Sequence, residues 1–120
     1  MALNTTKGKL GEKLALEFLQ KKGFKLVTQN WRYSRCGEID IIAYDKNSLV
    51  FKEVKTRTSV NFGQPIEAVD YKKINKMRNL AGIYLNKNKD LKFKEFRFDA
   101  VGIILGNPPH ITHYRNIYQF

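Results

Sequence analysis

Two apolar runs either side of a short polar turn constrain this chain more than any other feature. They are Glu38-Ile39-Asp40-Ile41-Ile42-Ala43-Tyr44 and Leu49-Val50-Phe51-Lys52-Glu53-Val54-Lys55-Thr56, and Asp45-Lys46-Asn47-Ser48 separates them. Runs rich in Ile, Val and Phe that flank turn formers pair as a β-hairpin. Side chains alternate along a strand, so Asp40 shares a face with Glu38 and Ile42, and Glu53 with Lys55 and Arg57. Asp40 and Glu53 are almost equidistant from Lys46 and Asn47, which sets the two acids opposite each other in antiparallel pairing.

Two carboxylates facing each other repel, and burial among Ile39, Ile41, Val50, Phe51 and Val54 adds a desolvation cost. A divalent cation removes both penalties. Mg²⁺ (or Mn²⁺) takes one or two carboxylates, a backbone carbonyl and waters, and leaves positions for a phosphate oxygen and an attacking water. Asp40 and Glu53 are therefore the candidate metal ligands, and Lys55 the group that orients or deprotonates water and offsets charge on the phosphate. Arg57 would hold an adjacent phosphate. The competing reading is a salt-bridge cluster of Asp40, Glu53 and Lys55 on a solvated face, which the apolar, central character of both strands disfavours.

The flanking segments supply an α/β frame. Residues 6–22 form an amphipathic helix ended by Gly23, and residues 24–31 a strand followed by a polar stretch over 32–37. After a loop holding Gly63 and Pro65, residues 66–85 repeat apolar side chains at helical spacing through Ile74, Met77, Leu80, Ala81 and Tyr84. Residues 96–105 read as a buried strand, and Asn107-Pro108-Pro109 turns the chain into a final one. The order helix, three strands, helix, two strands implies a mixed central β-sheet flanked by helices in one domain spanning residues 1–120.

Three helical residues bear on the site. Glu12 falls inside the apolar arc between Leu16 and Leu19, where a carboxylate needs a partner: a nearby cation, the helix N-terminus or the metal site. In the second long helix Lys73 lies at the margin of the apolar stripe and can reach toward the sheet or snorkel to solvent, whereas Lys72 and Lys76 face away from the stripe. Glu38 is a further ligand candidate, ranked below Asp40.

Lys and Arg number 22 against 11 Asp and Glu, a net charge of +11, which suits a polyanion such as nucleic acid. There is no long basic amphipathic stripe for a membrane surface, no apolar run of spanning length, and no signal-peptide pattern at Met1 to Lys7, so a cytoplasmic protein is expected. Cys36, the only cysteine, reads as structural or incidental. His110 and His113, three apart on a strand, point to opposite faces and make a poor metal pair.

Four blocks then carry a resemblance: Gly8-Lys9-Leu10-Gly11-Glu12, Gly37-Glu38-Ile39-Asp40-Ile41-Ile42-Ala43, Val50-Phe51-Lys52-Glu53-Val54-Lys55-Thr56-Arg57 and Arg97-Phe98-Asp99. In this order and spacing they resemble the bacterial YraN family of predicted nucleases over nearly the whole chain. That family is similar to the archaeal Holliday junction resolvases, which implies a restriction-endonuclease-like fold with a PD-(D/E)xK core. By this resemblance Glu12 fits the resolvases' first-helix acid, and Glu12, Asp40, Glu53 and Lys55 form the catalytic set. Ile39 stands where a Pro normally precedes the first Asp of that signature. Resolvase-like proteins are often dimers, so a homodimer is an expectation of the resemblance.

The leading expectation is a metal-dependent endonuclease that hydrolyses phosphodiester bonds of DNA, branched or structured DNA included. The alternatives are a non-catalytic nucleic-acid-binding module with the same fold, or an adaptor of a DNA-processing complex.

Overall fold

The hairpin expected at the centre of the chain is present, as β2 (Gly37–Asp45) and β3 (Ser48–Arg57). Asp45 pairs with Ser48, so Lys46 and Asn47 alone make the turn, with Lys46 at a positive φ of 55°. The register runs from there through Tyr44 with Leu49 to Ile41 with Lys52. The structure is a computed structural model that describes residues 2–59 and 70–117, with only the backbone for 2–5.

Around the hairpin the chain adds α1 (Ala2–Lys21), β1 (Lys25–Tyr33), α2 (Tyr71–Lys87), β4 (Glu95–Ile104) and β5 (His110–Tyr114). The five strands form one mixed sheet in the order β1-β2-β3-β4-β5, in which β3 and β4 are parallel and the other neighbours antiparallel. A parallel pair requires a crossover, and α2 lies in the one between β3 and β4.

Each helix buries one stripe against one face. Ala15 and Leu19 of α1 pack with Phe24, Ile41, Ala43, Val50, Val54, Val101 and Ile103. On the other face Met77, Leu80, Ala81 and Tyr84 of α2 pack with Ile39, Ile42, Leu49, Phe51 and Phe98. Strict alternation would separate Ile39 from Ile42, so β2 departs from it around Asp40.

The helix ends follow local chemistry. Gly23, at φ 99°, donates to the Gln20 carbonyl and Phe24 to the Leu19 carbonyl, each at 3.0 Å. This is a Schellman ending, and its apolar contact joins Leu19 to Phe24 in the core. The second helix starts later than its apolar spacing suggests. Asp70 is in extended conformation and accepts the Lys73 N–H at 2.9 Å, which caps α2 and makes Tyr71 its first residue. The expected start at 66 and the loop holding Gly63 and Pro65 lie outside the described residues. β1 runs two residues beyond its expected end, because Arg32 and Tyr33 pair with Glu38 and Gly37 of β2.

Candidate metal centre

Beyond Ile41 and Lys52 the hairpin opens, and the residues that follow line a cavity of about 300 Å³. The same register carried one step further sets Asp40 across from Glu53, both buried. The Asp40 carboxylate accepts the Val54 N–H at 2.8 Å, in the position where a backbone pair would otherwise continue.

Glu12 reaches this end of the sheet because α1 passes very close to β3. A Cβ on Gly11 would overlap Thr56 Oγ1 and lie 2.9 Å from Thr56 Cβ, so a glycine is required for that approach. Gly37 opens the other side: its φ of 128° excludes most side chains, and a Cβ would lie 2.7 Å from Lys76 Cε. In this frame one carboxylate oxygen each from Glu12, Glu38 and Asp40 lies within 4.8 Å of the others.

Crowded acids resist ionising. Burial and then the charge of Glu53 push the Asp40 carboxyl up to about 8, against the partial relief of its bond from Val54. Burial, and then Glu38, raise Glu12 as well, although an Asn30 hydrogen bond opposes the shift. Carboxyls whose ionisation is disfavoured for want of a counter-charge match the donor set of a hard divalent cation, which would let them ionise together.

Glu53 is already neutralised from another direction. Its Oε1 pairs with Lys73 Nζ at 3.2 Å and Lys55 Nζ at 3.4 Å. Burial and the adjacent Lys73 lower the Lys55 ammonium's pKa. For Lys73, burial is outweighed by its bond to Lys55 and by Glu53, so its pKa is raised. Of the residues singled out from the sequence, Glu12, Glu38, Asp40, Glu53, Lys55 and Lys73 thus line one cavity. Arg57 ends β3 outside that lining, with a buried Nε that has no hydrogen-bond partner among the described residues.

Lys76 faces away from the apolar stripe, as its spacing predicts. It is exposed, yet it lies along the cavity beside Gly37, because the cavity extends past the apolar stripe that set the expected face of α2. A second polar cluster went unread on the opposite face. Lys52 Nζ, fully buried, pairs with Asp99 Oδ2 at 2.7 Å and meets His113 Nε2 at 2.9 Å, while Arg97 Nε binds Asp99 Oδ1 at 3.0 Å. The signal was present as a lysine and an aspartate inside two apolar strands, without a partner assigned to either. Among the described residues no helix is long and apolar enough to cross a membrane.

Residues 11–103 match the sequence profile of the uncharacterised protein family UPF0102. A UPF0102 protein of Dictyoglomus turgidum is 49% identical over 107 residues, covering 89% of each chain. One from Natranaerobius thermophilus is 41% identical over 117 residues, 96% of this chain and 98% of the relative. Another, from Caldanaerobacter subterraneus subsp. tengcongensis, is 47% identical over 109 residues, 89% of this chain and 85% of the relative.

Proposed function

The chain belongs to the UPF0102 family, which includes the YraN-like predicted nucleases, and we propose that it is a metal-dependent endonuclease of the restriction-endonuclease-like, PD-(D/E)xK kind. Its substrate in this reading is DNA, with branched or structured DNA preferred. The observation that carries the reading is the convergence of the Glu12, Glu38 and Asp40 oxygens within 4.8 Å, in one cavity with Glu53 and Lys55.

Asp40, Glu12, Glu38 and Glu53 are the groups available to hold Mg²⁺ or Mn²⁺. Such an ion supplies Lewis-acid stabilisation of a phosphoryl oxygen. Lys55, half-buried beside Glu53, orients a water for attack on phosphorus and offsets charge on the phosphate. Arg57 and Lys73 hold the neighbouring backbone, and the +11 net charge draws the polyanion to the cavity.

One observation favours a second reading. Glu53 pairs with two lysines through one oxygen, as it would in a module that binds nucleic acid without cutting it, alone or as an adaptor. Calorimetric titration of Mn²⁺ separates the two. A nuclease site binds the ion in the native protein and loses it in Asp40→Ala, whereas absence of binding to the native protein would overturn the proposal in favour of a metal-free module.

A further inference from the structure

Two ammonium groups share a single oxygen of Glu53, and they are not equivalent. Lys55 stands two residues along the same strand with its side chain 25% exposed, so its backbone is fixed on the same face beside Glu53. Lys73 arrives from the first turn of α2, held by the Asp70 cap, and its side chain is 36% exposed. A long, partly solvated lysine can exchange partners by rotation about its own bonds while the helix stays fixed.

Resting on the metal-site reading above, we propose that Lys73 is a displaceable counter-ion. It neutralises Glu53 in the metal-free protein, yields that oxygen when a divalent cation binds, and then offers its ammonium to a phosphate of the nucleic acid. Three charges bear on the step. Both ammoniums sit on one oxygen of Glu53, and a divalent cation held by the same carboxylate would repel them. Asp40, buried across the hairpin from Glu53, is among the acids that would hold the ion. Lys76, three residues along α2 and lining the same cavity, marks the surface to which a released Lys73 would turn. The exchange also keeps four acids from repelling one another in the metal-free state, and ties exposure of a phosphate-binding group to the presence of the ion.

The test is calorimetric titration of Mn²⁺ into the native protein, Lys73→Gln and Lys76→Gln, followed by titration of duplex DNA in Ca²⁺. Lys76 makes no ion pair among the described residues, so its variant removes the same charge without touching Glu53. The expected result is Mn²⁺ binding about three- to fivefold tighter in Lys73→Gln, little changed in Lys76→Gln, and weaker DNA binding in Lys73→Gln with Ca²⁺ present. Equal tightening in both variants would show only a general charge effect and overturn the proposal. Unchanged or weaker Mn²⁺ binding in Lys73→Gln would overturn it while the metal site stands, and unchanged DNA affinity would overturn the second step. If the native protein binds no Mn²⁺, the metal-site reading and this inference fall together.

Discussion

The Asp40 carboxylate accepts the Val54 N–H at 2.8 Å, so a side chain completes the hairpin one residue past its last backbone pair. The bond anchors an acid that would otherwise be repelled from this part of the sheet, and it costs the acid one acceptor site of its two oxygens. The carboxyl that results is buried against Glu53 and titrates near 8.

Binding of a divalent cation must therefore expel a proton from Asp40. Mn²⁺ affinity should climb by up to about tenfold per pH unit from about pH 6 and level off above the Asp40 transition. Calorimetry in buffers of different ionisation enthalpy would register the released proton. A pH-independent affinity would contradict this account of Asp40.

Without metal the same shift acts on stability in the reverse sense. A carboxyl raised from 3.8 to about 8 on folding contributes stability that is fully present below 3.8 and is lost as pH rises through about 8. Asp40→Asn keeps an acceptor for the Val54 N–H and removes the charge. The metal-free variant should melt above the native protein at about pH 9, by about 4 °C or more. A lower Tm for the variant would mean that ionised Asp40 is stabilising.

The cluster on the α1 face should behave as structure. Asp99 receives Lys52, Arg97, His113 and the Asn116 N–H, with Lys52 and Asp99 both fully buried. Its carboxyl is held well below the usual range: burial opposes ionisation, but His113, Lys52 and Arg97 prevail. That contribution is present above pH 3.8 and lost only as pH falls toward the folded value, so it is complete at neutrality. Asp99→Asn leaves Lys52 buried beside a neutral group and should cost about 3 to 5 kcal/mol in urea denaturation. Mn²⁺ affinity of the folded variant should stay near native, since the cluster lies across the sheet from the cavity.

Gly11 tests how Glu12 gets to the site. Gly11→Ala puts a methyl into Thr56, so α1 must shift from β3, at a cost of about 1 to 3 kcal/mol. Mn²⁺ affinity should fall along with stability because Glu12 moves with the helix. Native affinity in a destabilised variant would remove Glu12 from the metal set.

What was legible in the sequence was whatever local rules determine. A tight turn at Lys46 and Asn47 dictates which residues of β2 and β3 face each other, so Asp40 and Glu53 could be paired by counting. The apolar stripe of α2 was equally plain, and all five of its expected core residues are buried. Long-range register was not legible. Lys52 and Asp99 are matched only because β3 and β4 run parallel across a crossover, and nothing local to either residue states that offset. That Lys76 lines the cavity was not legible either, because helical spacing reports the buried stripe and the cavity lies at that stripe's edge. The YraN resemblance brought Glu12 into the set. Residue spacing alone left it undecided, because its position depends on how closely α1 approaches Thr56.

The central claim, that these acids and Lys55 cut phosphodiester bonds, is tested most directly by cleavage of labelled DNA. Junction, flap, single-stranded and duplex substrates would be incubated with native protein and with Asp40→Asn in Mg²⁺ or Mn²⁺, with binding measured in parallel. The account predicts new ends from at least one substrate with the native protein, and none with Asp40→Asn at equal DNA occupancy. Equal cleavage by both proteins, or tight binding of every substrate by metal-loaded native protein without a single cut, would contradict it.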